Sequence, residues 1–131
     1  MAPSDPAQTP LGTLALRTIA MPADANANGD IFGGWVLAQM DLAGSVVAAR
    51  RAKSRIATVA VEGMAFHKPI EIGDLVTGYA TVAKTGRTSI TVHVVIVASR
   101  RGTQEEVRVT EGTFIYVAID DDGKPRTLPP A

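Results

Sequence analysis

Asp41 is the residue whose type and position most directly suggest chemistry. It carries the only charge in residues 31–49, a stretch that is otherwise almost entirely apolar. On a helix, its neighbours one turn away are small or apolar: Leu37, Ala38, Gly44 and Ser45. Burial on such a face makes a carboxylate a stronger base and suits it to proton abstraction. In the alternative interpretation, Asp41 belongs to a thin polar stripe with Gln39 or Ser45 and only makes a hydrogen bond.

Two adjacent glycines, Gly33 and Gly34, lie near the start of this stretch and suggest a second chemical role. Glycines at the start of a helix let a ligand approach the unpaired backbone N–H groups, behind which lies the positive end of the helix dipole. Such donors suit an oxygen that gains negative charge during a reaction. A structural alternative is that the glycines only allow tight packing or a sharp turn.

Composition excludes several functional classes. The 13 Lys and Arg residues balance the 13 Asp and Glu residues in this 131-residue chain, so it lacks the positive field that nucleic-acid binding requires. The absence of cysteine removes thiolate metal sites, and the separation of His67 from His93 does not match metal-ligand spacing. We therefore expect no nucleic-acid partner and no metal site.

The chain has the length of one domain. Residues 1–11 are predicted to be a flexible lead, and residues 12–131 a single folded domain. The longest strictly apolar run is Phe114–Ile119, far shorter than a membrane span. Because the first ten residues contain no apolar signal core, we expect a cytoplasmic protein without a membrane partner.

Hydrophobic periodicity places these candidate residues in an α+β fold. Residues 31–49 predict a helix that other protein must enclose, ending near the cations Arg50, Arg51 and Lys53. Alternation with period two predicts five strands: Thr13–Met21, Ile56–Phe66, Asp74–Lys84, Arg87–Arg100 and Glu105–Asp120. Short connections between the last four predict hairpin or meander links. One helix cannot cover both faces of a sheet, so the sheet is expected to curl around it and leave an edge or face for a second copy.

Several motifs resemble those of the YciA-type acyl-CoA thioesterases of the hotdog-fold superfamily. The resemblance covers roughly residues 12 to 129 and rests on runs in one order: Met21–Trp35, Gln39–Asp41, Thr58–Glu62, Phe66–Ile70, Gly73–Asp74, Gly86–Ser89 and Gly123–Thr127. An asparagine loop, a double glycine and a helical aspartate in this order are more specific than any of them alone. The chain departs from many relatives at position 25, which holds alanine where they have threonine.

The resemblance implies a hotdog fold, in which a five- to six-stranded antiparallel sheet wraps one long helix and two subunits form composite sites. Asp41 is then the catalytic general base or nucleophile, and Asn26 is supplied by the other subunit. The amide of Gly33 or Gly34 forms the oxyanion hole. The family often assembles as trimers of dimers, and its reaction requires no metal or cofactor.

An acyl-CoA substrate also implies cations that bind the phosphates of coenzyme A. The candidate cations are Arg87, Lys68 and Arg126, and the hydroxyl of Ser89 beside Arg87 is a further candidate ligand. Each cation has the alternative of being a solvated surface charge. Trp35, Met40, Met64 and Phe66 are candidates for the acyl channel or, alternatively, for the core. Hotdog dehydratases use a histidine, but neither His67 nor His93 lies in a matching motif, so both are predicted to be structural. A non-catalytic acyl-CoA-binding domain is the alternative function.

Overall fold

One helix packs against a six-stranded antiparallel sheet in the computed structural model, which describes residues 7–131. The elements in chain order are β1 (Gln8–Thr9), β2 (Gly12–Ile19), a 3-10 turn (Pro22–Asp24), α1 (Gly33–Ala52), β3 (Arg55–Phe66), β4 (Leu75–Thr85), β5 (Ser89–Ser99) and β6 (Glu106–Ile119). The sheet order is β1-β2-β4-β5-β6-β3. This arrangement confirms the α+β prediction of one long helix on an antiparallel sheet.

Local sequence explains where helix α1 ends but does not explain where it begins. No side chain caps its start after Phe32. At its other end, Lys53 adopts a left-handed conformation with φ of 52°, and Arg50 and Arg51 place positive charge at the negative end of the helix dipole. The predicted helix end is therefore confirmed. No helix within residues 7–131 is long and apolar enough to cross a membrane.

Only one face of α1 is covered within the protomer. The buried face packs on the sheet and consists of Val36, Met40, Ala43, Gly44, Val47, Ala48 and Ala52. On the other face Leu42 remains 56% exposed, and Leu37 and Val46 are also exposed. The outermost strand β3 adds exposed Val59 and Val61. The predicted enclosure of the helix is therefore incomplete in one protomer, and an apolar surface remains for another chain.

Strand β5 shows how the alternating pattern builds the core. Its residues on the helix side are fully buried: Ile90, Val92, Val94, Ile96 and Ala98. Full burial of a side chain of this size contributes about 1.5–3 kcal/mol, so this strand anchors the sheet on α1. The alternating residues of this strand therefore bury one face of the sheet against α1. The opposite face carries a second cluster that the pattern did not predict, in which Val95 and Val97 pack with Tyr79, Leu11 and Leu14.

The N-terminal residues take part in that second face. Gln8 and Thr9 form β1, which pairs with the first residues of β2. Leu11, inside the predicted flexible lead, packs on the outer cluster. Residues 1–6 lie outside the described part of the chain, so the lead prediction cannot be followed further there.

The connection from β3 to β4 differs from the prediction. Strand β3 pairs with β6 and β4 pairs with β2 and β5, so residues 67–74 cross from one side of the sheet to the other. The hairpin or meander prediction is correct for β4–β5 and β5–β6 and wrong for β3–β4. This connection contacts the chain just before α1, because the Ile31 N–H donates to the Ile70 carbonyl oxygen at 3.1 Å.

A buried ion pair fixes this crossover. Asp74 is only 1% exposed, and its Oδ2 accepts hydrogen bonds from the Arg100 guanidinium and from the Glu71 backbone N–H, the latter at 2.8 Å. Arg100 also donates to the Pro69 carbonyl oxygen at 3.2 Å. Since the same segment contacts Ile31, the ion pair indirectly sets the position of the chain that leads into α1.

Candidate active site

Asp41 lies near the middle of α1, half-buried in the protomer. The Thr58 hydroxyl donates to Asp41 Oδ1 at 2.8 Å. The Tyr116 hydroxyl lies 3.0 Å from both Oδ1 and the backbone oxygen of Asp41. No described residue donates a hydrogen bond to Oδ2. The carboxylate is thus anchored through one oxygen and free at the other, as a base or nucleophile requires.

Tyr116 is a permanent donor in this arrangement. Burial raises its pKa, and the negative charge of Asp41 and the hydrogen bond donated to that carboxylate raise it further. The phenol therefore keeps its proton at neutral pH. In contrast, Ser45, which the polar-stripe alternative paired with Asp41, donates its hydroxyl to the Leu42 carbonyl oxygen at 2.7 Å. Ser45 therefore does not make the hydrogen bond to Asp41 that the polar-stripe alternative proposed for it.

Sequence reasoning did not assign Thr58 and Tyr116 to the site. Thr58 is the first residue of the Thr58–Glu62 motif of the family, and this membership was the sequence feature that could have assigned it to the site. Tyr116 lies inside the apolar run Phe114–Ile119, where it resembles an ordinary core residue. Its contact with Asp41 becomes visible only in the folded chain, where β6 lies between β3 and β5 and Tyr116 faces the helix.

The start of α1 presents unpaired donors. Trp35 and Val36 donate their backbone N–H groups to the Phe32 carbonyl oxygen at 3.1 and 3.3 Å. No acceptor among the described residues binds the N–H of Gly33 or Gly34, and both glycines are exposed. A Cβ atom added at Gly34 would meet nothing within 4 Å, so tight packing within the protomer does not explain this glycine. The geometry favours the interpretation in which these amides receive an anionic oxygen.

Asn26 organises the loop before the helix. Its Oδ1 accepts the backbone N–H groups of Asn28 and Asp30 at 2.9 and 3.2 Å. Its backbone oxygen accepts the Gly29 N–H at 3.0 Å, closing a turn in which Gly29 has φ of +86°. With the carbonyl side of the amide committed to the loop, the Asn26 amide nitrogen is the group left to donate outward.

These groups form two separate half-sites on each protomer, an amide half and a carboxylate half. The amide half comprises Asn26, Gly33 and Gly34, linked because the Phe32 N–H donates to the Asp24 carbonyl oxygen of the Asn26 loop at 2.9 Å. The carboxylate half comprises Asp41, Thr58 and Tyr116. Asp41 follows Gly33 by eight residues, a rise of about 12 Å along the helix. The two halves of one protomer therefore lie more than two helical turns apart along α1.

Three residues predicted to bind coenzyme A come together at one end of the sheet. Arg87 and Ser89 lie at the beginning of β5, and Arg126 lies in the C-terminal segment. Backbone hydrogen bonds of 2.9 Å tie that segment down, from Arg126 N–H to the Ala118 oxygen and from Leu128 N–H to the Arg87 oxygen. Arg87 and Arg126 are exposed, so both are accessible to a phosphate.

Lys68 lies apart from this group within the protomer. Its backbone N–H donates to the Val109 oxygen at 3.3 Å, whereas Arg126 pairs with Ala118, nine residues farther along β6. Nine strand residues span about 30 Å. Lys68 and Arg87 of one protomer therefore cannot bind the same phosphate.

The proposed channel residues divide between core and surface. Met40 is fully buried, and Trp35 and Met64 pack against the core, which favours the core alternative for these three. Phe66 is 56% exposed, and its ring tip lies 3.9 Å from the Cβ position of Gly33. Phe66 is therefore the remaining candidate beside the amide half.

Comparisons with known proteins agree with the fold. The Thioesterase superfamily profile matches residues 28–104. Acyl-CoA thioester hydrolase YciA from Salmonella typhimurium is 50% identical over 124 residues, covering 92% of this chain and 93% of that protein. A hexameric thioesterase from Yersinia pestis superposes with a TM-score of 0.89 at 50% identity, covering 93% of this chain and 100% of the other.

A more distant structure shows the same fold with ligands bound. An acyl-CoA hydrolase from Staphylococcus aureus, solved in complex with butyryl coenzyme A and coenzyme A, has a TM-score of 0.80 at 28% identity, covering 87% of this chain and 70% of that one. The fold and these matches define a hotdog-fold protein of the thioesterase superfamily. Within it, the chain belongs to the YciA family of acyl-CoA thioester hydrolases.

Proposed function

We propose that this protein hydrolyses acyl-CoA thioesters at sites shared between two protomers. The observation that carries the proposal is the separation of about 12 Å between Gly33 and Asp41 on one straight helix. Two helices that run antiparallel across a twofold axis bring the amide half of one protomer to the carboxylate half of the other. Each dimer then has two equivalent sites, and the exposed helix face with Leu37 and Leu42 is covered.

The reaction follows from what each half offers. The amides of Gly33 and Gly34 bind the thioester oxygen and stabilise the negative charge that develops on it. Oδ2 of Asp41 takes a proton from water, whose oxygen bonds to the carbonyl carbon. The carbon–sulfur bond then breaks, and the proton held on Asp41 passes to the sulfur, so coenzyme A leaves as the thiol and the carboxylate is restored. Asn26 donates its amide N–H to the water or the substrate. Direct attack by Oδ2 through a mixed anhydride, which water then hydrolyses, is the other route.

Recognition of the coenzyme is assigned to Arg87, Ser89 and Arg126, with Arg87 as the main phosphate ligand. Lys68 contributes to the same nucleotide only from a different protomer. The proposal requires no metal or organic cofactor. By analogy with the hexameric relative from Yersinia pestis, we propose a trimer of dimers, and we place the protein in the cytoplasm, which cell fractionation tests.

Release of free thiol from a panel of short, medium and long acyl-CoAs tests the function. A hydrophobic pocket discriminates one methylene by only about 1–3 kcal/mol, so we expect turnover across several chain lengths. The alternative, a non-catalytic acyl-CoA-binding domain, predicts tight binding of the same ligands without thiol release. Absence of turnover on every member of the panel would exclude the proposed activity.

A further inference from the structure

Gly44 and Tyr116 face each other where α1 packs on β6, three residues beyond Asp41. A Cβ atom added at Gly44 would overlap the hydroxyl oxygen of Tyr116 and would lie 3.1 and 3.2 Å from its Cζ and Cε2 atoms. A glycine inside a helix destabilises it relative to alanine. The close approach of the phenol explains why this position nevertheless holds glycine.

The hydroxyl of Tyr116 is committed to one residue. Its side chain is fully buried, and its ring stacks on Phe114 with centroids 6.4 Å apart and planes inclined by 18°. Both acceptors within hydrogen-bond distance, Oδ1 and the backbone oxygen, belong to Asp41. The stacked pair of Phe114 and Tyr116 thus holds a buried hydrogen-bond donor, the Tyr116 hydroxyl, against one turn of the helix.

We propose that Tyr116 is a positioning residue that selects Oδ2 of Asp41 as the reacting oxygen, and that Gly44 is required to admit its hydroxyl. The proposal rests on the proposed function. Tyr116 and Thr58 both donate to Oδ1, so turning the carboxylate out of this orientation breaks two hydrogen bonds. Oδ2 is then the oxygen presented to water or to the thioester, whichever route operates.

The first test removes only the hydroxyl. Tyr116→Phe keeps the ring and its stacking, so we expect a folded oligomer whose kcat falls about 10- to 100-fold through misplacement of the carboxylate, with KM within about twofold of the parent. Tyr79→Phe is the matched control, because Tyr79 is the only other tyrosine, is also buried and lies on the opposite face of the sheet. This control is expected to keep the parent kcat.

The second test uses Gly44. Gly44→Ala displaces the phenol and should lower kcat to a similar extent, with a lower melting temperature. In the Tyr116→Phe background the same substitution should cost little further activity, because the hydroxyl that it displaces is already gone. The two losses of kcat should therefore fail to multiply.

The outcomes separate this proposal from the proposed function. Turnover of acyl-CoA by the parent protein tests the function alone. With an active parent, a Tyr116→Phe variant that retains kcat within twofold would overturn the positioning role. Losses that multiply in the double variant would overturn the link to Gly44, as would a double variant that is no more stable than Gly44→Ala.

Discussion

Complementation between two inactive variants is the strictest test of whether the active site combines half-sites from two protomers. Asn26→Ala disables the amide half and Asp41→Ala disables the carboxylate half, and each should leave a homo-oligomer with little activity. When the two variants assemble together, some sites combine the intact amide half of the Asp41→Ala chain with the intact carboxylate half of the Asn26→Ala chain. Only a site built from two protomers allows this recovery.

The expected recovery follows from counting sites. With equal amounts of both chains and random assembly, half of all sites receive an intact amide half, and half of those also receive an intact carboxylate half. Recovered activity should therefore be about a quarter of the parent value per protomer before any selection. Selection of mixed oligomers removes the inactive homo-oligomers, which raises the value to about a half for a dimer and leaves it near a quarter for a larger randomly assembled oligomer. A site contained within one protomer would recover nothing.

Co-expression with two affinity tags and purification through both yields the mixed oligomers, whose thiol release is then measured. A mixture of Asp41→Ala with Asp41→Asn is the control, because both changes fall in the carboxylate half and no intact site forms. Mixed oligomers of Asn26→Ala and Asp41→Ala that are no more active than this control would refute the shared site.

Three further predictions concern chemistry, recognition and stability. Asp41→Asn should lower kcat by about 10²- to 10⁴-fold with an unchanged circular dichroism spectrum, and parent-like turnover would remove Asp41 from the mechanism. Arg87→Ala should lower kcat/KM for an acyl-CoA but barely change it for a short thioester of the same acyl group without the nucleotide. Equal losses on both substrates would indicate a structural role for Arg87. Arg100→Met leaves Asp74 buried without its partner and should lower the free energy of unfolding in urea by about 3–5 kcal/mol, partly restored by adding Asp74→Asn. A loss below about 1 kcal/mol would contradict the importance of the ion pair.

Features encoded locally were predictable from the sequence. The apolar helix with a single charge, its cationic end and the alternating face of β5 each follow from short-range patterns. Both limits of each of the five predicted strands lie within two residues of the observed ones, because turn residues such as Thr85-Gly86 and Arg101-Gly102 mark them clearly. The choice of Asp41 and of the double glycine also came from local composition, although their catalytic roles rest on the resemblance and remain predictions.

Features that depend on distant residues were not predictable. The crossover from β3 to β4 is held by Asp74 and Arg100, which are 26 positions apart, and no local pattern reveals that pair. The contact of Tyr116 with Asp41 spans 75 positions and brings a polar group out of an apolar run. The predicted coenzyme ligand Lys68 shows the opposite case, in which the sequence groups residues that lie far apart. Its charge and motif gave no information on its distance from Arg87.

The hydrogen bonds of the Asn26 loop also bear on how the protein ages. An asparagine followed by glycine loses its side-chain amide when the glycine nitrogen attacks the side-chain carbonyl carbon and closes an imide ring. In the sequence Asn28-Gly29 that nitrogen is occupied, because it donates its hydrogen to the Asn26 oxygen at 3.0 Å. Ring closure therefore requires the loop to open first. Spontaneous deamidation of Asn28 then records how often the amide half unfolds, and the same turn that orients Asn26 preserves the chemical integrity of its neighbour.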